Sequence, residues 1–306
     1  MKITEQSHKI WPEGNPLEDI EMAGRTCYQS IDKIKNGSAE KFCKGIIKRT
    51  HSSVLEFATV HIKLFPKHFP KHHMRGSLDS LLNAKYLICN EVGPAMIVTG
   101  SVRAFREYLQ SVPNDYLKSV VYTAVSTELP ELFEDICIYL IKGYPKVVAP
   151  HELPEHLRKD HIHRTVSLIT NRAIGNQVVR HRPCSFLQES LRFVRYDDGI
   201  EVISPSAFYE EGSQEWHDWR ASCKFSEYSY LNLLKRGKAE AARTVLPLAT
   251  KTELLVRCSL TQWEHIFALR LPKDADPAIR QLLEPLYKDM QVEYPGYFDN
   301  CKRRVG

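Results

Sequence analysis

Strand-like and helix-like periods alternate irregularly along this chain, and that irregularity limits the folds open to it more than any other feature. In VLEFATVHIKL (54–64), Phe57, Thr59, His61 and Lys63 alternate with Ala58, Val60, Ile62 and Leu64, the period of a half-buried strand. RTVSLIT (164–170) reads as a second strand. LEDIEMAGRTCYQ (17–29) and SAEKFCKGIIKR (38–49) space apolar residues by three and four, with Gly37-Ser38 as break and N-cap. Helical spacing also covers 77–92, 101–110 behind a Ser101 cap, two segments reaching to about 144, 216–237 and 276–290. Residues 240–258 begin helical, meet Pro247 and turn β-like; 259–271 carries an apolar stripe. The proline- and histidine-rich stretch 144–163 reads as a loop. Without a βαβ rhythm, the expectation is α+β rather than a doubly wound parallel sheet. The chain has 306 residues, 43% of them apolar, enough for a packed core.

Charge narrows the function classes. Lys and Arg number 42 against 37 Asp and Glu, a net of +5. That alone is too weak to mark a nucleic-acid binder, which needs a concentrated basic stripe, and it is compatible with an anionic small-molecule substrate. MKITEQSHKIWPEG has no apolar leader core, and no run approaches the roughly 20 apolar residues of a membrane span. The eight cysteines are scattered without a Cys-x-x-Cys pair, which reads as reduced thiols in a cytoplasmic protein. KHFPKHH (67–73) and HELPEHLRKDHIH (151–163) could bind metal or RNA, but they lack partner cysteines and aromatic platforms. They are read as solvated surface, with no metal site.

Positive charge is concentrated in RHRPCSFLQESLR (180–192). If 187–193 were extended, Gln188, Ser190 and Arg192 would share one face: an amide, a hydroxyl and a guanidinium, a set suited to an anionic ligand. Arg180 and Arg182 add like charges that are unfavourable side by side unless an anion is shared. The plainer alternative is a solvated basic edge. Cys184 beside the arginines is either a nucleophile or a small core residue.

RHRPCSFLQES matches the pattern Arg-His-Arg, seven residues, Ser, and so resembles the signature of the flavin-dependent thymidylate synthase (ThyX) family. KRTHSSVLEFATVHIKL (48–64) resembles its upstream His-x-Ser-x-x-Glu segment. AARTVLPLATKTEL (241–254) resembles its ARxVLP segment, and LTQWEHIFALR (260–270) its final ligand helix. AGRTCYQS (23–30) and 36–49 resemble its opening helices. The pieces follow the family's order across most of the chain.

The resemblance implies a ThyX-like α+β fold with a central, mostly antiparallel sheet flanked by helices. It also implies the methylation of dUMP to dTMP, with methylenetetrahydrofolate as carbon donor and FAD, reduced by NADPH, as hydride source. A catalytically weakened nucleotide- and flavin-binding protein of the same fold is the alternative. Carried across, dUMP would be held by Gln177, Arg180, Gln188, Ser190, Arg192, Arg243 and Arg270, with Arg270 the catalytic group favouring the uracil N3 anion. FAD would contact His51, Ser53, Glu56, Arg180, His181, Arg182, Gln188, Ser259, Thr261 and His265. Gln188 stands where Glu is frequent, and Glu189 could partly compensate. Ser259, Thr261 and His265 replace residues that are often Asn, Arg and Asn, and Phe193 replaces Tyr. Taken alone, Arg243 could cap a helix or pair with Glu240, His265 could be an ordinary helical residue, and Glu56 could face solvent on a strand. The family nucleophile is not a cysteine, so Cys184 should be dispensable.

The family is homotetrameric, with FAD between subunits. The chain as a whole (1–306) would form one such domain. The 99 residues between Leu64 and Arg164 imply a mainly helical insertion, about 66–163, interrupting one long strand. VTGSVRAFREYL (98–109) resembles a segment of longer relatives.

Overall fold

The computed structural model describes residues 1–66, 74–111, 116–141, 145–299 and 301. Its first half runs β1 (Lys2–Thr4), β2 (Ser7–Ile10), α1 (Pro16–Cys27), α2 (Ser38–Lys48), β3 (Thr59–Leu64), α3 (Met74–Leu82), β4 (Ile88–Val92), β5 (Ala95–Ser101), α4 (Val102–Ser111), α5 (Tyr116–Glu128) and α6 (Pro130–Phe133). Then come β6 (Lys146–Val147), α7 (Glu155–His161), β7 (His163–Asn171), α8 (Arg172–Val178), β8 (Ser185–Gln188), β9 (Glu201–Ile203), α9 (Gln214–Arg236), α10 (Ala239–Ala242), β10 (Lys251–Ser259), α11 (Leu260–Arg270) and α12 (Pro277–Glu293). This mixture of helices and antiparallel sheets is the expected α+β class.

The chain forms two compact units. One comprises Met1–Pro12, Arg25–Ile31 and Arg164–Gly306. Its four-stranded sheet has the order β2-β7-β10-β8, and β1 pairs in parallel with β9. β8 runs antiparallel to β10, with Gln188 opposite Leu254 and Ser185 opposite Arg257. α8 and α11 pack on β10, and α12 on β2. Trp263 and Phe267 stack at 5.8 Å, and Phe267 meets Tyr287 and Phe298 edge-on. All four rings are buried, and the Trp263 indole N–H donates to the Arg164 carbonyl at 3.2 Å. Such an aromatic cluster has its polar atom satisfied and a large area removed from water, a strong local anchor. Ile200, Val202, Cys223, Tyr230 and Leu234 build a further core under α9, whose N-terminus Ser213 caps by accepting from the Trp216 N–H.

The other unit comprises Glu13–Gly24 and Asp32–His163. Its sheet has the order β4-β5-β3-β6, antiparallel throughout. Val60, Ile62 and Leu64 of β3 are buried as the alternation predicts. Ser101 caps α4 as expected, its hydroxyl accepting from the Ala104 N–H at 3.1 Å. Three buried polar side chains form a chain beneath β5. Thr99 Oγ1 lies 2.8 Å from His61 Nδ1 and 2.6 Å from His161 Nδ1, and His161 Nε2 reaches Asn90 Oδ1 at 2.9 Å. Burial holds His161 below the ordinary histidine range, against a smaller opposing pull from Asp160.

Several local expectations are corrected. The helix read over 77–92 ends at Leu82, because 88–92 pairs with β5 through a tight turn at Gly93, whose φ of 58° suits glycine. The helical pattern toward 144 stops at Phe133, and Tyr139 and Leu140 stand exposed. The stretch 144–163 is not all loop: it contains β6 and α7. The strand read from 54 starts at Thr59, after a tight 3-10 turn over Ser52–Phe57. Ser38 is the first helical residue rather than the cap; Gly37 (φ 75°) precedes it, and the Ser38 hydroxyl donates to Glu21 at 2.7 Å. β3 and β7 belong to different sheets, so no single long strand is interrupted between them. Residues 66–163 lie in the second unit together with 13–24 and 32–65. The basic stretch 67–73 lies outside the described residues. Among the described residues, no group of three or more His, Cys, Asp or Glu is placed to hold a metal, and no helix is long and apolar enough to cross a membrane.

Candidate active site

Most of the residues singled out in the sequence lie in the first unit, on segments joined by α8, the β8–β10 ladder and α11. Asn171 caps α8 by accepting from the Ile174 N–H at 2.8 Å, so a short helix is well started where β7 ends. Past α8 the chain turns tightly, with His181 N–H donating to the Val178 carbonyl at 3.1 Å. The His181 ring is buried, and both its nitrogens are engaged. Nδ1 lies 2.9 Å from the Val178 carbonyl, and Nε2 lies 3.1 Å from Arg270 Nε. A carbonyl only accepts and a guanidinium only donates, so the ring carries its proton on Nδ1 and offers the Nε2 lone pair to Arg270. Burial pushes His181 below the ordinary histidine range. The Val178 carbonyl pulls the other way, while the nearby Arg270 and His265 reinforce the burial. A neutral imidazole thus orients Arg270, leaving its two terminal nitrogens available.

Three other arginines behave differently. Arg180, Arg182 and Arg243 are exposed, and none forms an ion pair or side-chain hydrogen bond among the described residues. Arg243 occupies the C-cap of α10 with its backbone, so the capping alternative holds for the main chain; its guanidinium does not pair with Glu240. Arg192 lies over the Phe193 ring at 5.4 Å. Exposed guanidinium groups without carboxylate partners are available to an anion.

Residues 187–193 are not one extended strand. β8 ends at Gln188, and Ser190–Val194 form a turn in which the Ser190 carbonyl accepts from Phe193 N–H (3.0 Å) and Val194 N–H (2.9 Å). Gln188, Ser190 and Arg192 therefore share no strand face. Gln188 turns inward against α8: a Cβ added at Gly175 would come within 3.1 Å of its Nε2. That Nε2 and the nearby Thr252 Oγ1 are buried without a hydrogen-bond partner. An unsatisfied buried amide donor calls for an acceptor, such as a ring carbonyl. Glu189 does not compensate for it. It is 2% exposed and accepts from Tyr196 OH at 2.6 Å and Glu253 N–H at 3.3 Å, with Lys251 Nζ at 3.5 Å. Gln177 donates to Asp276 at 2.9 Å, and Asp276 caps α12, so Gln177 has a structural partner in addition to its expected ligand role. Ser259 caps α11, accepting from Gln262 N–H at 3.2 Å. Thr261 and His265 are exposed on the first two turns of that helix.

His51, Ser53 and Glu56 belong to the second unit. His51 and Ser53 are exposed. Glu56 is not a solvent-facing strand residue: Arg103 Nη1 donates to it at 2.6 Å, while Arg103 Nε donates to Glu107 at 2.6 Å. Arg103 was missed in the sequence because its partner lies 47 positions away. The signal was its place in the VTGSVRAFREYL segment. Arg172 was missed too; its guanidinium donates to the Glu189 carbonyl at 3.1 Å and ties α8 to the end of β8.

The model of the family described as "Thymidylate synthase complementing protein" matches residues 156–296. The chain is 30% identical over 144 residues to a flavin-dependent thymidylate synthase of Mycobacteroides abscessus, covering 42% of this chain and 57% of that one. A relative of the same name from Synechocystis sp. is 28% identical over 144 residues, covering 43% and 67%. One from Mycolicibacterium gilvum is 31% identical over 146 residues, covering 42% and 58%. Against the first of these the chain spans a little over half of the relative's length. A solved UMP/dUMP methylase PolB from Streptomyces cacaoi, bound with 5-Br UMP, is 20% identical at a TM-score of 0.42, covering 49% of this chain and 76% of that one. The match takes in every singled-out residue from Gln177 to Arg270 and leaves out His51, Ser53 and Glu56. Residues 156–296, which hold the Arg-His-Arg signature, are thus the part of the chain that is similar to the thymidylate synthase complementing proteins.

Proposed function

We propose that this protein is a flavin-dependent thymidylate synthase that methylates dUMP to dTMP, taking the carbon from methylenetetrahydrofolate. One observation carries the reading: the guanidinium groups of Arg180, Arg182 and Arg243 lack carboxylate partners among the described residues, and Arg270 is held through its Nε by a neutral His181. The donor set fits both ligands. Arginines match phosphate and pyrophosphate oxygens in bidentate fashion, and the unpaired Gln188 amide matches a ring carbonyl. FAD, reduced by NADPH, supplies the hydride.

In this reading Arg180, Arg192, Arg243, Gln188 and Ser190 bind the nucleotide, with Gln177 beside them. Arg270 is the catalytic residue; its terminal nitrogens stabilise negative charge developing at N3 of the uracil, the kind of preorganised electrostatics that dominates many enzymes. His181 keeps Arg270 aimed and keeps a second positive charge away from it. Arg182, His181, Ser259, Thr261 and His265 serve the flavin, as do His51, Ser53 and Glu56, the last of them held by Arg103. The active form is a homotetramer with flavin between subunits, acting in the cytoplasm, and residues 66–163 are an insertion particular to longer members.

The test is anaerobic. Photoreduced, FAD-loaded protein should reoxidise when dUMP and methylenetetrahydrofolate are added together, and 5-tritiated dUMP should lose its label. Flavin that binds and stays reduced, with no label lost, would favour the weakened-binder alternative. A protein that takes up neither flavin nor dUMP would refute both.

A further inference from the structure

The sequence left Cys184 as either a nucleophile or a core residue; the strand register points to a third role. Glu189 N–H donates to the Glu253 carbonyl at 2.9 Å, so 189 and 253 oppose each other at a hydrogen-bonded site of the β8–β10 ladder. Such sites alternate with non-hydrogen-bonded ones in an antiparallel pair. Counting back through Leu187–Leu255 and Ser185–Arg257, the next step places Cys184 opposite Cys258 at a non-hydrogen-bonded site. Cys184 lies one residue before β8, and at a site of this type Cα atoms are typically about 4.5 Å apart with side chains facing each other, inside the roughly 4.4–6.8 Å a disulfide spans. The two thiols are within hydrogen-bonding reach of each other. Cys184 is half-buried and Cys258 is 2% exposed.

We propose that Cys184 and Cys258 are a reversible dithiol–disulfide modification site at the root of the Arg180–Arg182 arm, oxidised by low-molecular-weight disulfides. The Cys184 thiolate attacks one sulfur of the oxidant, forming a mixed disulfide and releasing one thiolate. Cys258 then loses its proton and attacks the Cys184 sulfur, forming the cross-strand bond and releasing the second thiolate. Two cysteine thiols are oxidised, the oxidant is reduced to two thiols, and the two cysteine protons end on them. Burial raises the Cys258 thiol, and hydrogen bonding and charge at Cys184 add to this, so closure speeds up as pH rises. The proposal does not depend on the proposed activity.

The test uses the full chain equilibrated in oxidised glutathione, then denatured, alkylated and digested. The expected result is a linked peptide pair carrying Cys184 and Cys258, with these two thiols lost to alkylation and recovered on reduction. Cys184→Ser should abolish the pair and leave Cys258 alkylatable. The proposal is overturned if Cys184 stops at the mixed disulfide, stays reduced, or links to another cysteine. Cys184→Ser folds or not independently of this readout, since the wild-type peptide map decides alone.

Discussion

Arginines of the second unit that hold carboxylates contrast with three arginines of the first that hold none. In the second, Arg106 is buried and grips Asp135 with two bonds of 2.7 and 2.6 Å, also donating to the Leu132 carbonyl. Those bonds, together with the charge itself, outweigh burial and hold the Asp135 carboxyl below its usual range. Arg103 likewise bridges Glu56 and Glu107. In the first unit, Arg180, Arg182 and Arg243 are exposed and meet no carboxylate among the described residues. A guanidinium that already has its counter-charge is part of the scaffold. One left without it, among others like it, is complementary to something the chain does not supply. Arg164, which pairs with Glu293 in the first unit, shows that the contrast is one of role rather than of unit.

The sharpest way to break this contrast is to remove the unpaired charges. Arg270→Ala should cut turnover by about 10²–10³-fold, the usual loss of one preorganised donor, while chemical denaturation curves stay close to wild type. A stability loss with intact turnover would make Arg270 scaffold. Arg106→Ala should do the reverse. Leaving Asp135 and the Leu132 carbonyl without their donor should cost about 2 kcal/mol of unfolding free energy in urea titrations, with dUMP affinity retained. His181→Gln tests the joint between the classes: Arg270 loses its aim, and kcat should fall about tenfold while KM for dUMP changes less, since misplaced groups lose orientation first. A rise in KM as large as the fall in kcat would mean that His181 serves substrate binding rather than the aim of Arg270.

The smallest effect is on pH. His161 and His181 both sit below their ordinary value in the folded state. Below about pH 6.5 the unfolded chain therefore binds protons that the folded one refuses. Stability is full above that pH and declines as pH falls toward the folded values. Urea midpoints should hold from neutral pH upward and drop into the mildly acid range, and His161→Gln should flatten that slope. A rise in midpoint on acidification would contradict the buried neutral assignments.

What could be read from the sequence followed its strong periods. α1, α2, α5, α9 and α12, and the alternation of β3, lie close to where their patterns placed them. Pairing partners were invisible: 88–92 has a helical pattern, yet Met96–Val98 across the Gly93 turn draws it into a sheet. The same blindness hid the Glu56–Arg103 contact and the inward turn of Glu189 toward Glu253 and Lys251, partners that are distant in the chain. The Arg-His-Arg signature was readable as a cluster of charge. That its histidine is the neutral prop of Arg270, 89 positions on, was not.

The most direct test is a titration of dUMP into the FAD-loaded protein and into its Arg180→Ala/Arg243→Ala form, with thermal midpoints measured alongside. The account predicts saturable binding to the wild type, weakened at least about hundredfold in the variant with an unchanged midpoint. Equal binding by both proteins, or none by the wild type, would contradict it.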